Sequence, residues 1–297
     1  MSRVLVTGAS GFVGTALTRL LRDRGMEVRA AYRVLPEAPA PGVEAVSVGG
    51  LGASTDWRRA LAGVDSVVHL AGPAHGRSGF EQAIAEGTRA LALQAEAAGV
   101  SRFVYVSSIK AAAGRTDEIP VPEAHPPAPA GAYGRAKLQA ERLLLEMPRL
   151  PSVILRPPLI FASNAKGNFR RLLQLAESGA PLPLRGIDNR RSMISLSAFG
   201  EAVWRVLSAP GSGQRIFHVA DRPALSSAQI VESLRKGMHK SARLFESAAL
   251  AALLPSTLRQ SLAVDDSAFR DVYGSPDGSE DVEQALVECA AMWKRRQ

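Results

Sequence analysis

A doubly wound α/β fold, with a parallel sheet covered by helices on both faces, is what three features of this chain predict. Near the start, residues 4–14 read VLVTGASGFVG, a short apolar run meeting a glycine-rich turn and then an amphipathic segment. Short apolar runs then alternate with helical patterns up to Arg156, the rhythm of a sheet buried on both sides. Beyond Arg156 that alternation is lost, so the second half is expected to form a smaller, mainly helical lobe. The lobe is discontinuous, because a helix and strand near 199–219 read as a return to the sheet.

In the opening unit, Val13, Leu17, Leu20 and Leu21 recur at helical spacing and give the helix one apolar face. Gly25 falls where a helix stops. Gly8, Gly11 and Gly14 are spaced three apart. Gly8 turns the chain off the strand, Gly11 lets backbone approach a bulky anion, and Gly14 lets the helix sit close on the sheet. The first N–H groups of the helix and its dipole then face a pyrophosphate. A strand before and a helix after make a dinucleotide site of the Rossmann type the better reading than a plain connection. Phe12 and Val13, at the start of the helix, join the expected cofactor surface.

A second strand spans 27–32, a proline-rich loop 35–42 and a third strand 43–48. A short helix at 55–62 is closed by Gly63, a fourth strand covers 64–70, and a long alanine-rich helix at 80–98 ends at Gly99. The fifth strand is 103–107; a Pro/Ala-rich loop at 119–130 precedes a helix from Tyr133 to about Glu146. The sixth strand, 153–156, stops at Pro157-Pro158. After it come a helix at 169–177, a proline-broken loop at 180–184 and a short extended piece at Met193-Ile194. A helix near 199–207, a strand at 215–219 and a mostly helical tail from Ser226 complete the chain. The expected division puts residues 1–165 and 197–222 in the dinucleotide-binding domain, and 166–196 and 223–297 in the substrate lobe.

The 297 residues are 46% hydrophobic and 22% charged, ordinary globular material. A net charge of +8 points to anionic partners. The arginines are scattered, however, with no basic tail and no run interleaved with aromatics, so small anions are expected rather than nucleic acid. The five histidines are far apart and show no metal-ligand spacing, so no metal is expected. The single cysteine, Cys289, rules out a disulfide framework within the chain and fits a reducing compartment. With no signal segment after Met-Ser-Arg and no apolar run of membrane-spanning length, the expectation is a cytoplasmic protein without a membrane partner.

The chemistry concentrates in Tyr133-Gly-Arg-Ala-Lys137. Tyrosine and lysine four apart share a helix face. A free phenol, with a pKa of about 10, is a poor base at neutral pH. An ammonium about 4 Å away contributes roughly 4 kcal/mol at an effective dielectric near 20, enough to lower the phenol by about three units. Tyr133 would then exchange a proton with a carbinol or ketone oxygen while a nicotinamide carries the hydride. Ser107-Ser108 ends the fifth strand, where a ligand at the carboxyl edge of the sheet sits. Each piece alone has a bland explanation; the glycine turn, the serine and the Tyr-Lys pair together point to an oxidoreductase-type site.

On these residues the sequence resembles the extended short-chain dehydrogenase/reductase family, and within it the nucleotide-sugar epimerases, dehydratases and reductases. The matched pieces are TGASGFVG, HLAG at 69–72, FVYVSSIK, YGRAK, LRPP at 155–158, GNF at 167–169 and NRRSMIS at 189–195. They run through essentially the whole chain, and the SSIK, GNF and NRRS pieces look most like a UDP-glucose 4-epimerase-like subgroup. That subgroup includes enzymes acting at C4 of UDP-N-acetylhexosamines and their 4-keto-6-deoxy relatives, which implies a UDP-hexose or UDP-N-acetylhexosamine substrate. The resemblance implies catalytic roles for Ser108, Tyr133 and Lys137. It implies that Arg191 clamps phosphate and that Asn168 lies near the nucleotide sugar. It adds Leu51, Ala71 and Gly72 to the cofactor contacts, and a homodimer is an assembly it allows.

Four departures stand out. The dehydratase branch carries Asp-Glu after its hydroxyl residue; here Ile109-Lys110 stands there, which argues against a 4,6-dehydratase. Ile84 occupies a position where many members have Asn, and Gly50 one where many have Asp against the adenine. The stretch between Gly72 and Phe80 looks shortened. At the end of the second strand Tyr32-Arg33 offers no carboxylate for a ribose 2′-hydroxyl. That leans towards NADP, with Arg33 on the 2′-phosphate, and leaves NAD open. The expected activity is a 4-epimerase or 4-keto-sugar reductase using NADP or NAD on a nucleotide-sugar substrate. The alternative is a cofactor-binding regulator or redox sensor that kept the fold; the intact Ser108, Tyr133 and Lys137 argue against it and Ile84 for it.

Overall fold

The computed structural model describes residues 2–72, 80–117, 119–209 and 215–296. The first unit is β1 (Arg3–Thr7), α1 (Phe12–Asp23), β2 (Glu27–Tyr32), β3 (Val43–Ser47), α2 (Arg58–Leu61) and β4 (Ser66–His69). It continues with α3 (Phe80–Ala97), β5 (Arg102–Val106), a 3₁₀ turn (Ile109–Ala111), α4 (Gly131–Leu145) and β6 (Ser152–Arg156). These strands and β9 (Ile216–His218) form one parallel sheet in the order β3-β2-β1-β4-β5-β6-β9. The order reverses between β1 and β4, the point at which doubly wound sheets open a crevice at their carboxyl edge.

Alternation along the strands sorts the core onto two faces. Val4, Val6, Val68, Val104 and Leu155 point to one side, where Leu17 and Leu21 of α1 cover them. Leu5, Val67, Phe103, Tyr105 and Ile154 point to the other, against Leu91 and Ala95 of α3 and Ala136 and Ala140 of α4. Side chains as deeply buried as Leu17 and Leu21 contribute about 1.5–3 kcal/mol each by leaving water. α2 is shorter than the 55–62 expected. Thr55 instead donates to the Gly50 carbonyl at 2.6 Å, and the Asp56 carboxylate accepts the Arg58 N–H at 3.0 Å, so the first residues are held as a turn.

After β6 come β7 (Leu159–Phe161), α5 (Gly167–Ser178), β8 (Arg191–Ser195) and α6 (Leu196–Ser208). Beyond β9 follow β10 (Asp221–Leu225), α7 (Ser227–Gly237), α8 (Ala248–Ala252), α9 (Ser256–Arg259), α10 (Ser267–Tyr273) and α11 (Val282–Lys294). The strand expected at 215–219 does rejoin the main sheet, through β9 pairing with β6. The lobe also holds something not anticipated: a three-stranded sheet in the order β10-β8-β7. Its outer strands hide from pattern reading because β7 has only three residues after Pro157-Pro158 and β10 contains Pro223, a residue confined to edge strands. α7 opens with a full capping box, Ser226 with Gln229. With α11 and α5 it encloses a lobe core of Phe161, Phe169, Leu234, Leu286 and Trp293. From the tail, Phe269 and Tyr273 pack edge-on against Phe217 of β9.

Candidate active site at the carboxyl edge of the sheet

A cleft of about 550 Å³ opens where β1 and β5 end and the lobe folds over them. Its floor is the glycine turn. Gly8 has φ +67°, and a β-carbon there would stand 3.0 Å from the Ala71 nitrogen. A β-carbon on Gly14 would overlap the Gly8 carbonyl. The turn is closed by the Gly11 N–H donating to the Gly8 carbonyl at 2.9 Å, and Gly11 is the N-cap of α1. Gly8, Gly11, Phe12, Val13 and Gly14 all line the cleft. A bare backbone surface at a helix N-terminus fits the pyrophosphate of a dinucleotide. Phe12 also packs on the lobe core, so the start of α1 is pinned from both sides.

Beneath the turn lies a buried polar relay. The Thr7 hydroxyl is 2.7 Å from His69 Nδ1 and also accepts the Ala71 N–H at 3.2 Å. His69 Nε2 is 3.1 Å from the Thr88 hydroxyl, which donates to the Ile84 carbonyl at 2.7 Å. Thr88 therefore accepts from Nε2–H, and Nδ1 accepts from Thr7. Burial, reinforced by the Lys137 charge, holds His69 neutral by lowering its pKa to about 3.

The opposite wall carries Tyr133 and Lys137 of α4 together with Ser108 after β5. Lys137 is buried, donates to the Val106 carbonyl at 2.8 Å and faces the Tyr105 ring at 4.7 Å. Its Nζ is 5.9 Å from the centre of the Tyr133 ring. Burial lowers its pKa to about 8, against the pull of Glu141 in the other direction. The phenol of Tyr133 is pushed up to about 12 by burial, not down as the sequence argument expects. The reason is geometric: the ammonium is spent on a backbone carbonyl, and desolvation of the phenol dominates. The two serines also part ways. Ser107 is buried and donates its hydroxyl to Glu141, whereas Ser108 caps the 3₁₀ turn by accepting the Lys110 N–H at 3.3 Å. α4 approaches this turn closely, since a β-carbon on Gly134 would overlap the Lys110 carbonyl.

The lobe closes the cleft with Asn168 and Leu172 of α5, Arg191 of β8, Ser227 and Ile230 of α7, and Leu258 of α9. Arg191 donates to the Gln260 carbonyl at 2.8 Å, and burial lowers its pKa. Its neighbour Asn189 ties the lobe side together, donating to the Ser227 hydroxyl and the Leu258 and Gln260 carbonyls at 3.1–3.3 Å. The lining carries three cations, Lys110, Lys137 and Arg191, and no carboxylate among the described residues.

Of the residues singled out from sequence, Gly8, Gly11, Phe12, Val13, Gly14, Gly72, Ser108, Tyr133, Lys137, Asn168 and Arg191 meet in this one cleft. Ala71 stands beside Gly8 without lining it, and Leu51 packs against Gly87 of α3. Arg33 is exposed at the end of β2, its carbonyl accepting the Ser47 hydroxyl at 3.2 Å. Ile84 is fully buried and touches Gly72, and the Gly50 carbonyl serves the turn to Thr55. The stretch that looks shortened, 73–79, lies outside the described residues. Leu172, Ser227, Ile230 and Leu258 went unremarked in sequence, and Lys110 was noted only as a departure from the dehydratase pattern; the capping pattern at Ser226 marks where Ser227 begins a helix. Groups of three or more side chains able to hold a metal are absent among the described residues, and no helix there is long and apolar enough to cross a membrane.

Comparison with known proteins agrees with this geometry. The chain is 32% identical over 251 residues to a UDP-glucose 4-epimerase of Vibrio cholerae, covering 80% of this chain and 76% of that one. It is 28% identical over 250 residues to an N-acetyl-alpha-D-glucosaminyl-diphospho-ditrans,octacis-undecaprenol 4-epimerase of Escherichia coli O157:H7, covering 80% and 72%. Its fold superposes on UDP-N-acetylglucosamine 4-epimerase from Bacillus cereus with a TM-score of 0.81 at 20% identity, over 99% of this chain and 100% of that one. The model of the NAD dependent epimerase/dehydratase family matches residues 4–220, and with the glycine cradle and the sheet order in place the chain belongs to that family.

Proposed function

We propose that the protein acts at C4 of a UDP-hexose or UDP-N-acetylhexosamine, as a 4-epimerase or a 4-keto-sugar reductase dependent on NAD or NADP. One observation carries this reading. A cleft that, among the described residues, has three cations and no carboxylate joins a pyrophosphate cradle to Ser108, Tyr133 and Lys137 on one wall and to Asn168 and Arg191 on the other. The relatives acting on UDP-glucose and on a diphosphate-linked N-acetylglucosamine support the substrate class.

A nicotinamide held on the glycine cradle of Gly8, Gly11 and Gly14 would supply hydride-transfer chemistry at the sugar carbon. Tyr133 exchanges the proton of the C4 oxygen, Ser108 holds that oxygen by hydrogen bond, and Lys137, anchored on the Val106 carbonyl, places a donor and a cation on the same wall. Arg191, charged and half-buried, meets the diphosphate, and Asn168 meets the sugar side. The lack of a carboxylate beside Ser108 argues against a 4,6-dehydratase, which needs an acid and a base there. An epimerase and a reductase use these same groups and differ in whether oxidised cofactor is kept or released.

The test is to identify the nucleotide that co-purifies and then to screen UDP-sugars for binding and turnover. Soluble NADPH consumption marks the reductase; a tightly held NAD with no net consumption marks the epimerase. Normal dinucleotide binding with no UDP-sugar bound would move a regulatory role into first place.

A further inference from the structure

We propose that the buried Ser107–Glu141–Arg156 assembly is a positioning unit for the reaction centre: it keeps Lys137 charged and fixes the strand end that carries Ser108. This rests on the reading of Ser108, Tyr133 and Lys137 given above.

Tyr133, Lys137 and Glu141 follow one another at four-residue intervals on α4, so they share a face at increasing depth. Tyr133 reaches the cleft, while Glu141 is 1% exposed. There it meets Arg156, the last residue of β6 and 2% exposed. Arg156 Nε donates to both Glu141 oxygens, at 3.0 and 3.2 Å, and Nη2 to Oε2 at 2.6 Å. Among the described residues its Nη1 has no hydrogen-bond partner and Glu141 is the carboxylate paired with this guanidinium. Ser107 donates its hydroxyl to the same carboxylate. One side chain thus ties together α4, the end of β5 and the end of β6, the three elements whose ends carry Tyr133, Ser108 and the Pro157–Pro158 edge of the cleft.

The charge matters as well as the geometry. Lys137 faces Tyr133 and Glu141 on its own helix, Tyr105 from β5 and His69 from β4. His69 is held neutral, and burial raises both phenols. Glu141 is then the anion that opposes the desolvation of Lys137, and Arg156, paired to the same carboxylate, offsets part of that opposition. A neutral or apolar residue at 141 would pack in the same space and lose that opposition.

Removing one partner alone leaves a buried charge unpaired, whereas replacing both together costs little. The variant to make is therefore Glu141→Gln with Arg156→Met, checked for folding by thermal melting. Two readouts are taken: the titration of Lys137 Nζ by ¹⁵N NMR in the protein without substrate, and the pH dependence of kcat on the UDP-sugar identified above. The Lys137 midpoint is expected to fall, and the alkaline limb of kcat to move to lower pH with it. Near neutral pH kcat should drop by about 10- to 100-fold, the cost of misplaced reacting groups, with KM held within a factor of about two. Glu141→Asp, which keeps the charge, should bring the alkaline limb back without restoring the full rate. Ser107→Ala leaves both charges in place and should lower kcat several-fold with no movement of the limb; it also stands in if the double variant fails to fold. An unchanged Lys137 titration in the double variant, or an unchanged kcat in Ser107→Ala, overturns the proposal. A wild-type protein that turns over no UDP-sugar instead overturns the functional reading, and the lysine titration still decides this one.

Discussion

The two ends of the cleft are built from different material. At the dinucleotide end the floor is largely backbone, a turn in which Gly8, Gly11 and Gly14 present no side chain and Phe12 and Val13 flank them. At the sugar end it is side chain, delivered by α5, β8, α7 and α9, segments spread from Asn168 to Leu258. Under the function proposed above, the first end would recognise a feature shared by every dinucleotide and needs only a local strand–turn–helix. The second would distinguish one sugar from another, which calls for groups whose identity can vary independently on separate elements. The contrast implies opposite sensitivities: adding atoms should injure one end, and removing them the other.

At the seam between the ends sits Tyr133, and its loss should be the largest single effect. Tyr133→Phe is expected to cut turnover by about 10²–10⁴-fold while leaving the melting temperature and dinucleotide affinity unchanged. Near-wild-type activity on an authentic substrate would remove Tyr133 from the mechanism.

Addition is tested next. Gly14→Ala places a methyl into the Gly8 carbonyl, and over-packing of this kind costs about 1–3 kcal/mol. Dinucleotide affinity measured by calorimetry should weaken accordingly, and sugar-nucleotide affinity much less. If both ends weaken equally, the cleft behaves as one unit and the contrast is wrong.

Acid should also strike the dinucleotide end first. His69 is depressed to about 3 in the folded protein by burial and by Lys137, against about 6.5 unfolded. The unfolded chain takes up the proton first, so this contribution is complete above pH about 6.5 and shrinks by about 1.4 kcal/mol per unit as pH falls towards 3. Chemical denaturation at a series of pH values should therefore show a slope that flattens in His69→Gln. The same slope in the variant would place the acid sensitivity elsewhere.

Subtraction is tested at Arg191. Arg191→Ala should raise KM for the UDP-sugar by about tenfold and change kcat less, because the diphosphate is held similarly in ground and transition states. The smallest effect belongs to Arg33, which is exposed. Arg33→Ala should lower the NADP-to-NAD affinity ratio by a few-fold, as loss of a surface pair worth at most about 1 kcal/mol. An unchanged ratio in paired titrations would leave Arg33 without a cofactor role.

Much of this was legible in the residues alone. The glycine turn, the parallel order up to β6 and the return of β9 follow from local patterns, because a two-residue period writes strand burial into the sequence and a glycine spacing writes the turn. The cation pair Lys110 and Arg191 lies 81 positions apart in the chain yet lines one cleft, and no periodicity links them. The small sheet escaped because β7 is too short, and β10 too proline-marked, to carry a pattern.

The state of the reacting groups was the tertiary structure's decision. Spacing along α4 places Tyr133 and Lys137 on one face, and that much any helix dictates. Where Lys137 points was settled by the Val106 carbonyl on another element, and the pKa of Tyr133 by how much of its phenol the assembled walls keep from water. Likewise SSIK offers two serines to the eye, and only the burial of Glu141 against Arg156 divides them: the Ser107 hydroxyl is committed to that carboxylate, while Ser108 accepts the Lys110 N–H at the start of the 3₁₀ turn. Sequence determines residue type and local direction. Desolvation and long-range pairing belong to the folded whole, since both depend on what surrounds a group rather than on what precedes it in the chain.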